Sequence, residues 1–181
     1  EDHKLETLDG NLVLLFYILK GCQETGKKLV HLSTGCIYQG DNNGKGFRED
    51  DEPNFDSSYY SKTKIIAENM LKDYDNVLII RIRLPADKEH SPRNLINKLL
   101  NSTKVNSYKN SISVIPDVLR ITEELIQKNH KGIFNVVNKE PIGYGEILDI
   151  YQEITGKKLN YELISPEKLH SRVPRANCVL S

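Results

Sequence analysis

Apolar positions in the first two dozen residues recur every three or four: Leu5, Leu8, Leu12, Leu15, Phe16 and Leu19 fall on helical spacing, and Gly21 and Gly26 mark a stop. This spacing predicts a core-facing helix over 3–24. The pattern then shortens. "KKLVHLS" (27–33) reads as a brief apolar strand that opens into "GDNNGKG" (40–46), dense in turn formers and expected to form a surface loop. Helical periodicity resumes over 57–72 behind Asp56 or Ser57 as cap, and "NVLIIRIRLP" (76–85) reads as a buried strand ending at Pro85. Pro92 and Pro116 are each placed to start a helix, the second running to about Asn129. "GIFNVVN" (132–138) is a third strand, and 143–156 is a helix with Gly156 as its stop.

Strands that alternate with helices imply parallel crossover units, hence a doubly wound α/β sheet of the Rossmann-like kind. The expected organisation is a Rossmann core over 1–85, an insertion belonging to a substrate lobe over 86–115, a helix and strand returning to the core over 116–138, and a small C-terminal substrate-binding lobe over 139–181.

Composition narrows the partners. Lys plus Arg equals Asp plus Glu at 25 each, with no basic block, so bulk charge argues against nucleic acid and anionic membranes, and any anion site must be local. The longest apolar stretch, "LVLLFYIL" (12–19), is far shorter than a bilayer span. Cys22, Cys36 and Cys178 lie at wide, irregular spacing that makes neither a metal cluster nor an even disulfide set. No metal is expected, and a reducing compartment, the cytoplasm, is the expected location.

Two short stretches carry candidate chemistry. "YYSKTK" places Tyr60 and Lys64 four apart, one helical turn, so both side chains share a face. A free tyrosine has a pKa near ~10, so as an acid or base at neutral pH it benefits from an ammonium that stabilises the phenolate. "STGCIYQG" (33–40) puts Thr34 at the carboxyl end of a predicted parallel strand, where open α/β sheets gather ligands. Its hydroxyl there can hydrogen-bond the same carbonyl oxygen that Tyr60 protonates.

Strand-Thr, loop, then Tyr-x-x-x-Lys on the next helix resembles the catalytic arrangement of the short-chain dehydrogenase/reductase superfamily, in its extended, sugar-nucleotide-modifying branch. "TGCI", "GFREDDEPNF", "SSYYSKTK", "RIRLP", "PRNLINK", "GIFNVVN" and "GEILDIY", in that order, are similar to the bifunctional nucleotide-rhamnose synthases, 3,5-epimerase/4-reductases. The similarity spans nearly the whole chain.

That resemblance implies roles. Cys36 stands where the related GDP-fucose synthases place an acid/base cysteine; a thiol with a free pKa near ~8.5 can exchange protons beside a 4-keto group. Inverting a carbon needs a second group on the opposite face, and the family pattern points to Lys98. Tyr60, Lys64 and the turn at Pro85 are expected to meet the nicotinamide of NADPH or NADH. Arg93, Asn94, Arg175 and Asn177 are expected to face the nucleotide-sugar, since a guanidinium suits bidentate pyrophosphate recognition. Asn11 occupies a structural asparagine position on the first helix. Dehydratases of the branch carry acidic residues where this chain has Gly35 and Cys36, which argues against 4,6-dehydration. A homodimer is an assembly to be tested.

No glycine-rich turn of the dinucleotide-binding type precedes the Thr34 strand, and the chain opens at Glu1 with Met70 as its one methionine. The expectation is that the first strands of the sheet lie upstream. The alternatives are a plain 4-keto-sugar reductase or GDP-fucose synthase-like enzyme, and a non-catalytic subunit or inactive fragment, as in the methionine adenosyltransferase regulatory subunit. The retained Thr34, Tyr60 and Lys64 favour an enzyme.

Overall fold

A computed structural model of the chain describes residues 3–89, 91–165, 168 and 174–181. Helix α1 (Lys4–Leu8), a π-helical stretch over Asp9–Val13 and helix α2 (Leu14–Thr25) follow one another without a break and end on Gly26, whose φ of 64° suits glycine. The predicted helix is therefore present, with a wider turn in its first half. Strand β1 (Leu29–Thr34) follows, then helix α3 (Tyr59–Leu71) and strand β2 (Val77–Ile82). The cap of α3 is Ser58, one residue beyond the positions expected, because its hydroxyl is the one that accepts from Ser61 N–H at 3.0 Å.

Beyond β2 come β3 (Pro85–Ala86), α4 (Leu95–Leu100), β4 (Lys104–Asn106), β5 (Lys109–Asn110) and β6 (Ser113–Val114). Helix α5 (Ile115–Gln127) carries its proline in the first turn, and β7 (Gly132–Asn135), β8 (Ile142–Gly143), α6 (Tyr144–Thr155) and β9 (Glu162–Ile164) complete the order. The helix expected from Pro92 starts only at Leu95, since the Asn94 side chain accepts from Ile96 N–H and caps it there.

The main sheet is parallel, ordered β1-β2-β7, with Leu29 opposite Val77, Thr34 opposite Ile82, and Leu78 opposite Gly132. This is the expected Rossmann-like topology. One face packs Leu29, Val77 and Ile79 against Leu15 and Leu19 of α2 and Ala67 and Leu71 of α3. The other packs Leu78 and Ile80 against Val118 of α5. Burial on both faces is why β2 reads as a continuous apolar run. In β1, Val30 and Leu32 on the α5 side stay exposed.

A smaller core of Ala86, Leu95, Leu99, Val105, Ile147 and Leu148 joins α4, α6 and the short strand pairs β4-β9, β5-β8 and β3-β6. A third cluster has a different origin. The C-terminal segment bridges the 40–47 loop at Gly40↔Cys178 and Phe47↔Leu180, burying Ile37, Tyr38, Phe47, Cys178 and Leu180 together. "GDNNGKG" is thus a turn stitched to the chain's end rather than a free loop. Among the described residues, no helix is long and apolar enough to cross a membrane.

Candidate active site

Thr34 closes β1, and its hydroxyl oxygen accepts from Cys36 N–H at 3.0 Å, which curls the chain sharply after the strand. Ser61 Oγ then donates to the Cys36 carbonyl at 2.7 Å. Because Ser61 lies in the first turn of α3, this bond ties the strand end to the helix that carries Tyr60. The neighbouring Thr34 hydroxyl favours the Tyr60 phenolate. Burial acts more strongly in the other sense, aided by Cys36 nearby, so the Tyr60 phenol stands above its ordinary value. Tyr60 holds its proton at neutral pH, as a proton donor must.

Lys64 follows a different path from the one its spacing suggests. Its ammonium donates to the Leu32 carbonyl at 3.0 Å and lies 3.0 Å from His31 Nε2, beneath β1. Burial lowers the pKa of Lys64, and burial together with the Lys64 charge pulls His31 down to about 4. The structure therefore gives Lys64 Leu32 and His31 as its hydrogen-bond partners rather than the Tyr60 phenol.

A cavity of about 1040 Å³ opens beside these residues, between the main sheet and the smaller core. Cys36 and Tyr60 line it from one side, Pro85 and Tyr144 lie along it, and Arg93, Lys98, Arg175 and Asn177 reach it from α4 and the C-terminal segment. Lys98 sits in the last turn of α4, exposed, with no side-chain bond to a described residue. Described lining residues include six cations, Lys4, Arg83, Arg93, Lys98, Lys104 and Arg175, and no carboxylate. A chain of zero net charge thus concentrates positive potential in one hollow.

Two expected substrate contacts are held otherwise. Asn94 is buried and absent from the cavity wall: its Oδ1 accepts from Ile96 N–H and its Nδ2 donates to the Glu89 carbonyl at 2.8 Å and to the Asp87 carbonyl. It caps α4 and clamps the preceding loop. Asn177 does line the cavity, but its Oδ1 accepts from Asn106 and Asn110. Asn11 donates to Thr63 Oγ1 at 2.9 Å, pinning the π-helical stretch to α3.

Sequence reasoning passed over Arg83. It follows β2, lines the cavity, and its Nη1 donates to Cys36 Sγ at 3.0 Å. Arginines alternating with isoleucines in "IIRIRL" were the available signal, since a guanidinium in an otherwise buried strand must answer to some partner.

A parallel sheet covered by helices on both faces, with a threonine ending β1 and a tyrosine opening the following helix, defines a Rossmann-like α/β fold. The chain belongs to the RmlD substrate-binding domain family, whose model matches residues 1–124. It is 35% identical to a trifunctional UDP-glucose 4,6-dehydratase/UDP-4-keto-6-deoxy-D-glucose 3,5-epimerase/UDP-4-keto-L-rhamnose-reductase of Arabidopsis thaliana, over 98% of this chain and 28% of that protein. It is 34% identical to a bifunctional dTDP-4-dehydrorhamnose 3,5-epimerase/reductase of the same plant, over 98% of this chain and 62% of the relative. The UDP-rhamnose synthase of Acanthamoeba polyphaga mimivirus superposes with a TM-score of 0.84 at 32% identity, over 94% of this chain and 61% of that one. The chain therefore spans less than two thirds of the length of each of these relatives.

Proposed function

We propose that the chain carries the substrate-binding and proton-transfer machinery of an enzyme that converts a nucleotide-linked 4-keto-6-deoxyhexose to the rhamnose form, by 3,5-epimerisation and NADPH- or NADH-dependent 4-keto reduction. The observation that carries this reading is the placement of Tyr60 and Cys36, the latter just past Thr34 at the end of β1, on the wall of a cavity lined by six cations and no carboxylate among its described residues. A sugar nucleotide brings a diphosphate, which such a lining attracts, and a 4-keto group, which needs an acid and a base. The epimerase and reductase names of the plant relatives support it.

Arg93 and Arg175, both exposed on the cavity, are the diphosphate ligands of this reading. Cys36 removes a proton from a carbon beside the keto group, and Lys98 returns one from the opposite face. Tyr60, positioned by Thr34, stabilises the charge that develops on O4 and finally protonates it. A nicotinamide dinucleotide supplies the hydride when bound. Leu84 and Pro85, which line the cavity as Tyr60 does, are the apolar wall that this reading assigns to its reactive end. Leu84 keeps a φ of 41°, a strained conformation for a branched residue held where that wall is built. Lys64, bound to Leu32 and His31, is not among the described residues that line the cavity.

The full-length protein, incubated with UDP- or dTDP-4-keto-6-deoxyglucose and NADPH, is expected to consume the reductant; no oxidation with either sugar overturns the reading. Cytoplasmic placement is supported by the three free thiols. A homodimer is supported by Leu14, Phe16, Tyr17 and Ile18, large side chains exposed on α2.

A further inference from the structure

Two arginines leave the same strand for different fates. Arg81 is buried and paired in full with Glu68, whose carboxylate accepts from Nη2 at 2.6 Å and from Nε at 3.0 Å. Arg83, only 4% exposed, meets no carboxylate among the described residues. Nη2 donates to Asn110 Oδ1 at 2.8 Å and to the Ala176 carbonyl, Nη1 donates to Cys36 Sγ at 3.0 Å, and Nε has no hydrogen-bond partner among the described residues. A buried guanidinium surrounded by neutral acceptors is costly, and the cost falls if one of those acceptors becomes an anion.

We infer that Arg83 is a positioning residue for epimerisation: it holds the Cys36 sulfur at the cavity wall and supplies the cation that a thiolate there would face. The inference rests on the proposed function, since it names how that site's base is prepared.

Every other acidic group facing this pair keeps its proton. Tyr60 from α3 and Tyr144 from α6 are both raised, chiefly by burial. Cys178, from the C-terminal segment, is pushed up to about 11 by burial and spends its proton on the Gly35 carbonyl at 3.1 Å. Arg175 faces Tyr144 and adds positive charge to the same corner. Cys36 alone of these thiols and phenols combines direct contact with the guanidinium, partial exposure and a place on the cavity wall.

Charge and atoms then balance. The thiolate takes the proton from the carbon beside the keto group and forms S–H, and the C–H electron pair moves into the enolate, placing negative charge on O4 next to Tyr60. The guanidinium loses one anion as another appears in the same cavity. Protonation of the carbon from the opposite face by Lys98 returns the keto sugar, now inverted.

The test reads the thiol directly, so it stands apart from turnover. In the full-length protein, iodoacetamide modification of each cysteine is followed by mass spectrometry at neutral pH. Cys36 is expected to react at least about tenfold faster in the wild type than in Arg83→Met, with Arg83→Lys restoring much of the rate because it returns a cation. Equal rates in wild type and Arg83→Met, or no recovery in Arg83→Lys, overturn the inference. Should Arg83→Met fail to fold, the far-ultraviolet thiolate absorbance of wild type minus Cys36→Ser decides: a difference supports the pair and its absence overturns it. With a 4-keto-6-deoxy sugar nucleotide, Arg83→Met is further expected to slow deuterium exchange at C3 and C5, with Arg83→Lys recovering much of it. If wild type shows the thiolate but turns over no such sugar, the proposed function fails and the Arg83–Cys36 pair survives.

Discussion

Leu180, from the end of the chain, closes over Gly35 so tightly that a β-carbon at position 35 would stand 2.8 Å from Leu180 Cδ1. Gly35 separates Thr34 from Cys36, so the residue that lets the C-terminal segment approach is also the one between the two reactive side chains. Gly35→Ala is expected to destabilise the full-length protein by about 1–3 kcal/mol through overpacking. Leu180→Ala, which empties a buried site, should cost about 2–5 kcal/mol. The double variant should cost less than the sum of the two, since each change removes part of the other's defect; additive urea-unfolding energies would show that the contact is not made.

Asn94 separates a structural role from a binding one. Asn94→Ala is expected to lower stability by about 1–2 kcal/mol, the loss of an N-cap, while KM for the sugar nucleotide stays unchanged. Arg93→Ala, one residue earlier and facing the cavity, is expected to do the opposite, raising KM at unchanged stability. Thermal unfolding and steady-state kinetics on the two variants check both halves.

His31 introduces a pH dependence with a definite sign. Its folded pKa of about 4 lies below the ordinary value of ~6.5, so the unfolded chain takes up this proton first as pH falls. Stability from keeping His31 neutral beside Lys64 is complete above about pH 6.5 and is lost as pH falls toward 4. At ~1.4 kcal/mol per pH unit the loss reaches at most about 3 kcal/mol. His31→Gln retains an acceptor but does not titrate, so its unfolding free energy should be flatter over this window than that of the wild type. Parallel profiles for the two proteins would exclude His31 as their source.

In the proposed reduction, Tyr60 and Thr34 are expected to contribute unequally at O4. Tyr60→Phe removes the donated proton and is expected to reduce NADPH consumption by about 10²- to 10⁴-fold. Thr34→Val removes the hydroxyl that orients the phenol and the acceptor for Cys36 N–H, so reduction should fall with a smaller effect on KM than on kcat. A Tyr60→Phe enzyme of near-normal rate would move the proton donor elsewhere.

Much of this molecule was legible before folding was considered. Residues 29–34, 77–82 and 132–135 are strands where apolar runs stood, and helices follow each 3.6-residue repeat, because local periodicity and the sheet's two covered faces impose the same pattern. The placement of Thr34 at the end of β1 and of Tyr60 in the first turn of α3 could be read in advance, because in a parallel crossover the helix starts from the strand's carboxyl end. Boundaries were less legible: α3 and α4 start where Ser58 and Asn94 have a free backbone N–H to accept from, and neighbouring polar residues look the same in one dimension.

What the sequence by itself determined is the fold class and the chemistry on offer: a hydroxyl, a thiol, a phenol and several cations in a fixed order. Tertiary structure alone decided which of them meet. It turned Lys64 toward Leu32 and His31, took Asn94 out of the cavity, folded the C-terminal segment onto Gly35 and set Arg83 against Cys36. Apart from the local clamp of Asn94, these contacts join residues tens of positions apart, and their partners are set by burial and by which polar atoms remain unsatisfied. Neither quantity exists until the chain has closed on itself.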